Sequence, residues 1–99
     1  MNTDVYLYVL KDGWIVNKRW LGERGTWDKM SFLYEENILR LIHEERGFDC
    51  YELRKPEELV KLIESEGNDK FGYAGAPDNF ELIEILDMKG CKYEILVEY

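Results

Sequence analysis

Ninety-nine residues, 45% hydrophobic and 34% charged, can enclose one hydrophobic core, so the chain reads as a single folded domain and not as a disordered segment. A formal charge of −8, from 21 acidic against 13 basic side chains, repels phosphate backbones and argues against direct binding of nucleic acid. No apolar run approaches the ~20 residues of a spanning helix, and residues 1–4 lack the basic start of a signal peptide. The expected location is therefore the cytoplasm, of the cell that makes the protein or of a host, with no membrane partner.

Val5-Tyr6-Leu7-Tyr8-Val9-Leu10 is aromatic and β-branched, and Trp14-Ile15-Val16 follows after Asp12-Gly13. Asp-Gly between two such runs predicts a hairpin with a type I′ turn, which needs positive φ at both central residues. That register pairs Lys11 with Trp14, Val9 with Val16, Leu7 with Lys18 and Val5 with Trp20. The predicted core face is then Val5, Leu7, Val9, Trp14, Val16 and Trp20.

Residues 21–30, with Gly22, Gly25 and Trp27 among charges, read as a loop. Ser31 can cap a helix over 31–46, with Gly47 just past its end and Tyr34, Ile38, Leu41, Ile42 and Glu45 at helical spacing. Residues 48–53 suit a short strand. Lys55-Pro56-Glu57-Glu58 opens a second helix, with proline in the first turn and acids at the positive dipole end; Leu59, Leu62, Ile63 and Val60 form its buried stripe. Residues 68–79 read as a loop. The last twenty residues read as a second hairpin turning at Lys89-Gly90.

The predicted order is ββα(β)αββ: an α+β domain whose antiparallel sheet is built from two hairpins, with two helices packed on one face. More apolar residues remain on the other face than a solvated sheet needs, which points to a homodimer or another partner.

The residue types for familiar active sites are sparse. His43 is the lone histidine and falls on a face expected to be exposed; Cys50 and Cys91 belong to no CxxC. A zinc site of the usual ligands is therefore not expected, and no cofactor is implied. Asp49, Glu52 and Lys55 loosely follow the acid, acid-x-Lys spacing of magnesium-dependent nucleases, but the spacing is wrong at both gaps. The glycine-dense stretch Phe71-Gly72-Tyr73-Ala74-Gly75-Ala76-Pro77 is neither GxGxxG nor a P-loop and reads as a connector.

Charge is unevenly placed. Residues 1–30 hold five basic and four acidic side chains together with all three tryptophans, whereas residues 31–99 hold eight basic and seventeen acidic. Two functional readings follow. The first is a protein-binding module without catalysis, an inhibitor, immunity or accessory protein of phage or mobile-element type, docking on a basic, nucleic-acid-handling partner through Trp27, Arg24, Glu35, Glu36, Glu57 and Glu58. The second is a small-ligand or nucleotide binder, or a modest enzyme, with a site between loops 21–30 and 68–79 lined by Trp20, Trp27, Tyr73 and Asp78.

Overall fold

Asp12 and Gly13 take φ values of +54° and +82°, the geometry expected of an Asp-Gly turn, and close β1 (Asp4–Lys11) onto β2 (Trp14–Gly22). The computed structural model describes residues 3–66, 71–72 and 74–99. Among these, α1 (Arg24–Met30) and α2 (Phe32–Glu35) follow the first hairpin. Next come β3 (Leu39–Glu45), β4 (Phe48–Leu53), α3 (Pro56–Ser65), α4 (Asn79–Leu86) and β5 (Lys92–Glu98).

The sheet is antiparallel with strand order β2-β1-β5-β4-β3. Two hairpins are thus present, but the last strand inserts between them and joins them. One sheet face carries Val5, Leu7, Val9, Tyr51, Leu53, Tyr93, Ile95 and Val97 into the core, where Met30, Leu33, Leu59, Ile63, Leu82 and Leu86 of the helices meet them. The fold is α+β, with one core between a sheet and a helical layer.

Several predicted elements take a different form. The expected helix over 31–46 stops after Glu35 because Asn37 adopts φ +62°. There Ile38 N–H donates to Leu33 O (2.8 Å) and Asn37 N–H to Tyr34 O (3.1 Å), the paired bonds of a Schellman stop, with Leu33 and Ile38 both buried. Residues 39–45 then run as β3, and Gly47 (φ +101°) serves the turn into β4 instead of ending a helix. The expected loop 21–30 holds α1, whose buried Thr26 donates its hydroxyl to Leu21 O at 3.3 Å. Ser31 makes no side-chain cap and simply links α1 to α2.

The expected C-terminal hairpin is a helix followed by a strand. Asp78 Oδ1 accepts the Glu81 N–H at 2.9 Å and caps α4, which turns Leu82, Ile85 and Leu86 inward. Glu84 is exposed on the outer side of α4. The buried Tyr93 hydroxyl donates to Ile85 O at 2.6 Å and fastens the end of α4 to β5.

The first hairpin keeps its turn and the Lys11–Trp14 pair, but its register slips at Val16. Val9 pairs with Asn17, Leu7 with Arg19, and a second shift at Leu21 sets Val5 opposite Gly22. An inserted residue moves the following side chains to the other face. Trp20 consequently leaves the predicted core face and Leu21 enters the core, whereas Trp14, still paired with Lys11 at the turn end of the hairpin, stands 76% exposed. The opposite edge, β3, has its own shift at Ile42, so both edge strands are bulged, a feature that discourages edge-to-edge association.

Candidate docking surface

Tyr51 is the anchor of an aromatic cluster on the helix side of the sheet. β4 points it inward next to Ile95, and α1 and α2 bring Trp27 and Tyr34 against it. The Trp27 and Tyr51 rings lie 5.1 Å apart at a tilt of 31°, and Tyr34 meets Tyr51 edge-on at 5.5 Å, separations at which aromatic pairs attract. Tyr51 is buried and Trp27 half-buried, but Tyr34 is 48% exposed, so the cluster presents rings to solvent.

Carboxylates surround these rings. Tyr99 donates its hydroxyl to Asp49 Oδ2 at 2.6 Å, and its backbone N–H to Gly47 O at 2.7 Å, which brings a fourth aromatic to the same end of the sheet. The Tyr99 hydroxyl is pushed up to about 12, first by that hydrogen bond, then by burial and by the charges of Asp49 and Glu44. Tyr51 is pushed up by burial, then by Asp49, Tyr99, Tyr34 and Glu44. Two carboxylates and two further phenols therefore act on the Tyr51 hydroxyl. Glu35 and Glu36 follow Tyr34 directly and are exposed.

The residues singled out from sequence are distributed as follows. Trp27 lies in the cluster, Glu35 and Glu36 beside it, and Arg24 is exposed at the start of α1. Glu57 and Glu58 occupy the first turn of α3; Glu58 accepts from Lys61 Nζ at 3.2 Å, and Glu57 lines a furrow between α3 and α4. Trp20 and Trp27 point to different places: the Trp20 indole donates to Asp4 Oδ1 at 2.9 Å, far in character from the Trp27–Tyr51 stack. Asp78 is the α4 cap, and Tyr73 lies outside the described residues. Tyr34, Tyr51, Asp49 and Tyr99 are the members of the cluster that sequence reasoning did not nominate.

The uncovered sheet face bears the apolar residues that suggested a partner or a homodimer. Strand pairing sets Trp20, Tyr6, Leu96, Cys50 and His43 in one row across all five strands. Lys18 Nζ sits 4.5 Å from the Tyr6 ring centroid and 5.6 Å from that of Tyr8. A hollow on this face brings a thiol, an imidazole and carboxylates together through Cys50, His43, Glu94 and Glu98. Its chemistry is that of a protonated thiol: Cys50 Sγ donates to Glu94 Oε1 at 3.4 Å, and burial followed by the Glu94 charge pushes the thiol up to about 12. His43 Nε2 meets Glu45 Oε1 at 2.8 Å. A thiol so held is a poor nucleophile. Among the described residues, no group of three or more His, Cys, Asp or Glu side chains is placed to hold a metal ion.

Among the described residues, no helix is long and apolar enough to cross a membrane. Compared with family models, curated proteins and solved structures, the chain matches none.

Proposed function

We propose that this protein is a binding module that docks through the Trp27–Tyr34–Tyr51–Tyr99 cluster onto a basic surface of a partner protein, acting as an inhibitor or accessory subunit. The observation that carries the reading is the exposed Tyr34 ring packed on the Tyr51–Trp27 pair, with the charges of Asp49 and Glu44 acting on Tyr51 and exposed Glu35 and Glu36 next in sequence to Tyr34. Rings fixed by packing lose little entropy on binding, and aromatic side chains dominate interface energetics. Their π faces and the adjoining carboxylates both attract arginine and lysine. The overall charge of −8 speeds encounter with such a surface and repels a nucleic acid competing for it.

The test is affinity purification at low and at high salt, comparing the native chain with the variant Tyr34→Ala/Glu35→Lys/Glu36→Lys. All three side chains are exposed, so the variant should fold. A basic partner that is held at low salt, weakened at high salt and lost by the variant supports the reading. A partner held equally by both proteins, or none at either salt, overturns it.

A further inference from the structure

Phe80 is 84% exposed, an unusual position for a large aromatic, and it stands at one end of a furrow between α3 and α4. The two helices are antiparallel: Ile63 and Glu64 lie by Asn79 and Phe80, while Pro56 and Glu57 lie by Leu86 and Met88. Two hollows, of about 260 and 430 Å³, occupy the two ends and share Ile83 between them. Val60 and Ile83 form the apolar floor, and Met88, 46% exposed, closes the far end opposite Phe80.

The rim is acidic. Along α4 and its C-cap residue, Phe80, Ile83, Glu84 and Asp87 fall at i, i+3, i+4 and i+7, so the stripe that carries the aromatic also carries two exposed carboxylates. Glu57 and Glu64 face them from α3. Among the described residues, Lys61 is engaged by Glu58, while Lys55 precedes Pro56 and Lys89 lines the same end, against four carboxylates along the furrow.

We infer that this furrow receives a basic amphipathic helix from a partner protein, independently of the aromatic cluster. The occupant is helical because walls made of helix side chains offer no free backbone ladder to an extended peptide, whereas a helix satisfies its own backbone groups. The furrow spans the eight residues of α4, about 12 Å, which matches apolar anchors at i, i+4 and i+7 of an incoming helix. The occupant is basic because four carboxylates flank the apolar floor. A second copy of this chain would bring its own acidic rim against them and is opposed by like charge.

The test is selection from a displayed library of helical peptides, followed by chemical-shift mapping on nitrogen-labelled protein. Selected peptides should carry apolar residues at i, i+4 and i+7 with Lys or Arg beside them, and should shift the amides of Val60, Phe80, Ile83 and Met88. Phe80→Asp and Glu84→Lys/Asp87→Lys should each weaken binding roughly tenfold or more. Phe80 is exposed enough that its variant keeps the fold, which circular dichroism checks. Tyr34→Ala/Glu35→Lys/Glu36→Lys should bind these peptides unchanged, so failure of the cluster and failure of the furrow are separable. An unenriched library, acidic or extended winners, shifts centred elsewhere, or indifference to Phe80→Asp overturns the inference.

Discussion

Tyr99 donates its hydroxyl to Asp49 at 2.6 Å across a separation of fifty positions, and this bond holds the end of β5 to the β3–β4 hairpin beside the aromatic cluster. It also ties folding to alkaline pH. The Tyr99 hydroxyl is raised from 10.0 to about 12, that of Tyr51 is raised as well, and the Cys50 thiol is raised from 9.0 to about 12. A group that holds its proton more tightly when folded contributes its full stability below the unfolded pKa and loses it as pH rises toward the folded value. Urea midpoints should therefore be flat up to about pH 9 and fall from there to about pH 12. Tyr99 is half exposed, so its share is the smaller one, and burial of Cys50 and Tyr51 carries most of the fall. Asp49→Asn should lower the Tyr99 midpoint, read from tyrosinate absorbance, while leaving Cys50 in place. A Tyr99 titration unmoved by that change would contradict the role given to Asp49.

Cysteine reactivity gives a second prediction. Cys50 is buried, donates to Glu94 and is held protonated, whereas Cys91 is only half-buried. Thiolate is the reactive form, so alkylation at neutral pH should modify Cys91 well before Cys50, as resolved by peptide mass spectrometry. Glu94→Gln removes the charge that opposes the thiolate, and should accelerate Cys50 alkylation. Equal rates for the two cysteines would show that Cys50 is neither shielded nor held by Glu94.

Gly72 is a close-approach position. A Cβ built there would collide with Leu21 O and lie 2.9 Å from Ala76 Cβ, so the segment before α4 presses its backbone against the second bulge of β2. Gly72→Ala must push that backbone away and should cost roughly 1–3 kcal/mol, as overpacking does. The comparison is Gly13→Ala, where no atom lies within 4 Å and only the φ of +82° penalises alanine. Chemical denaturation of the two variants separates crowding from backbone strain; a Gly72→Ala chain as stable as the native one would remove the close approach.

Local chemistry made some of this structure readable. Asp12-Gly13 demanded one turn type, and Pro56 with Glu57 and Glu58 marked the start of α3. The errors arose where two periods fit the same letters. Leu39, Leu41 and Ile42 satisfy a helical stripe as well as a bulged strand, and Leu82, Ile85 and Leu86 lie within a run that also alternates. In each case a polar residue decided the matter: Asn37 in the left-handed region, and Asp78 three positions before Glu81. The aromatic cluster and its flanking acids were legible only as residue types, in Trp27, Glu35 and Glu36. Tyr51 and Tyr99 join it through the insertion of β5 between two hairpins, a long-range pairing that no local pattern encodes.

The dependence of that cluster on one stop signal yields the last prediction. Asn37 holds φ +62°, and the bonds from Ile38 and Asn37 to Leu33 and Tyr34 fix the last turn of α2 from which Tyr34 reaches Tyr51. Glycine adopts this conformation without a steric penalty, whereas a Cβ without a short polar group costs about 1–2 kcal/mol there. Asn37→Gly should therefore leave the unfolding midpoint near that of the native chain, and Asn37→Ala should lower stability by about that amount. The same substitution pair should grade the cluster, because a loosened stop frees the Tyr34 ring. Ring-proton shifts of Tyr34, which sits edge-on to Tyr51, should move toward solvent values in Asn37→Ala and stay in place in Asn37→Gly. If alanine is tolerated as well as glycine, the segment after α2 accepts a helical path, and Asn37 is not what turns it into β3.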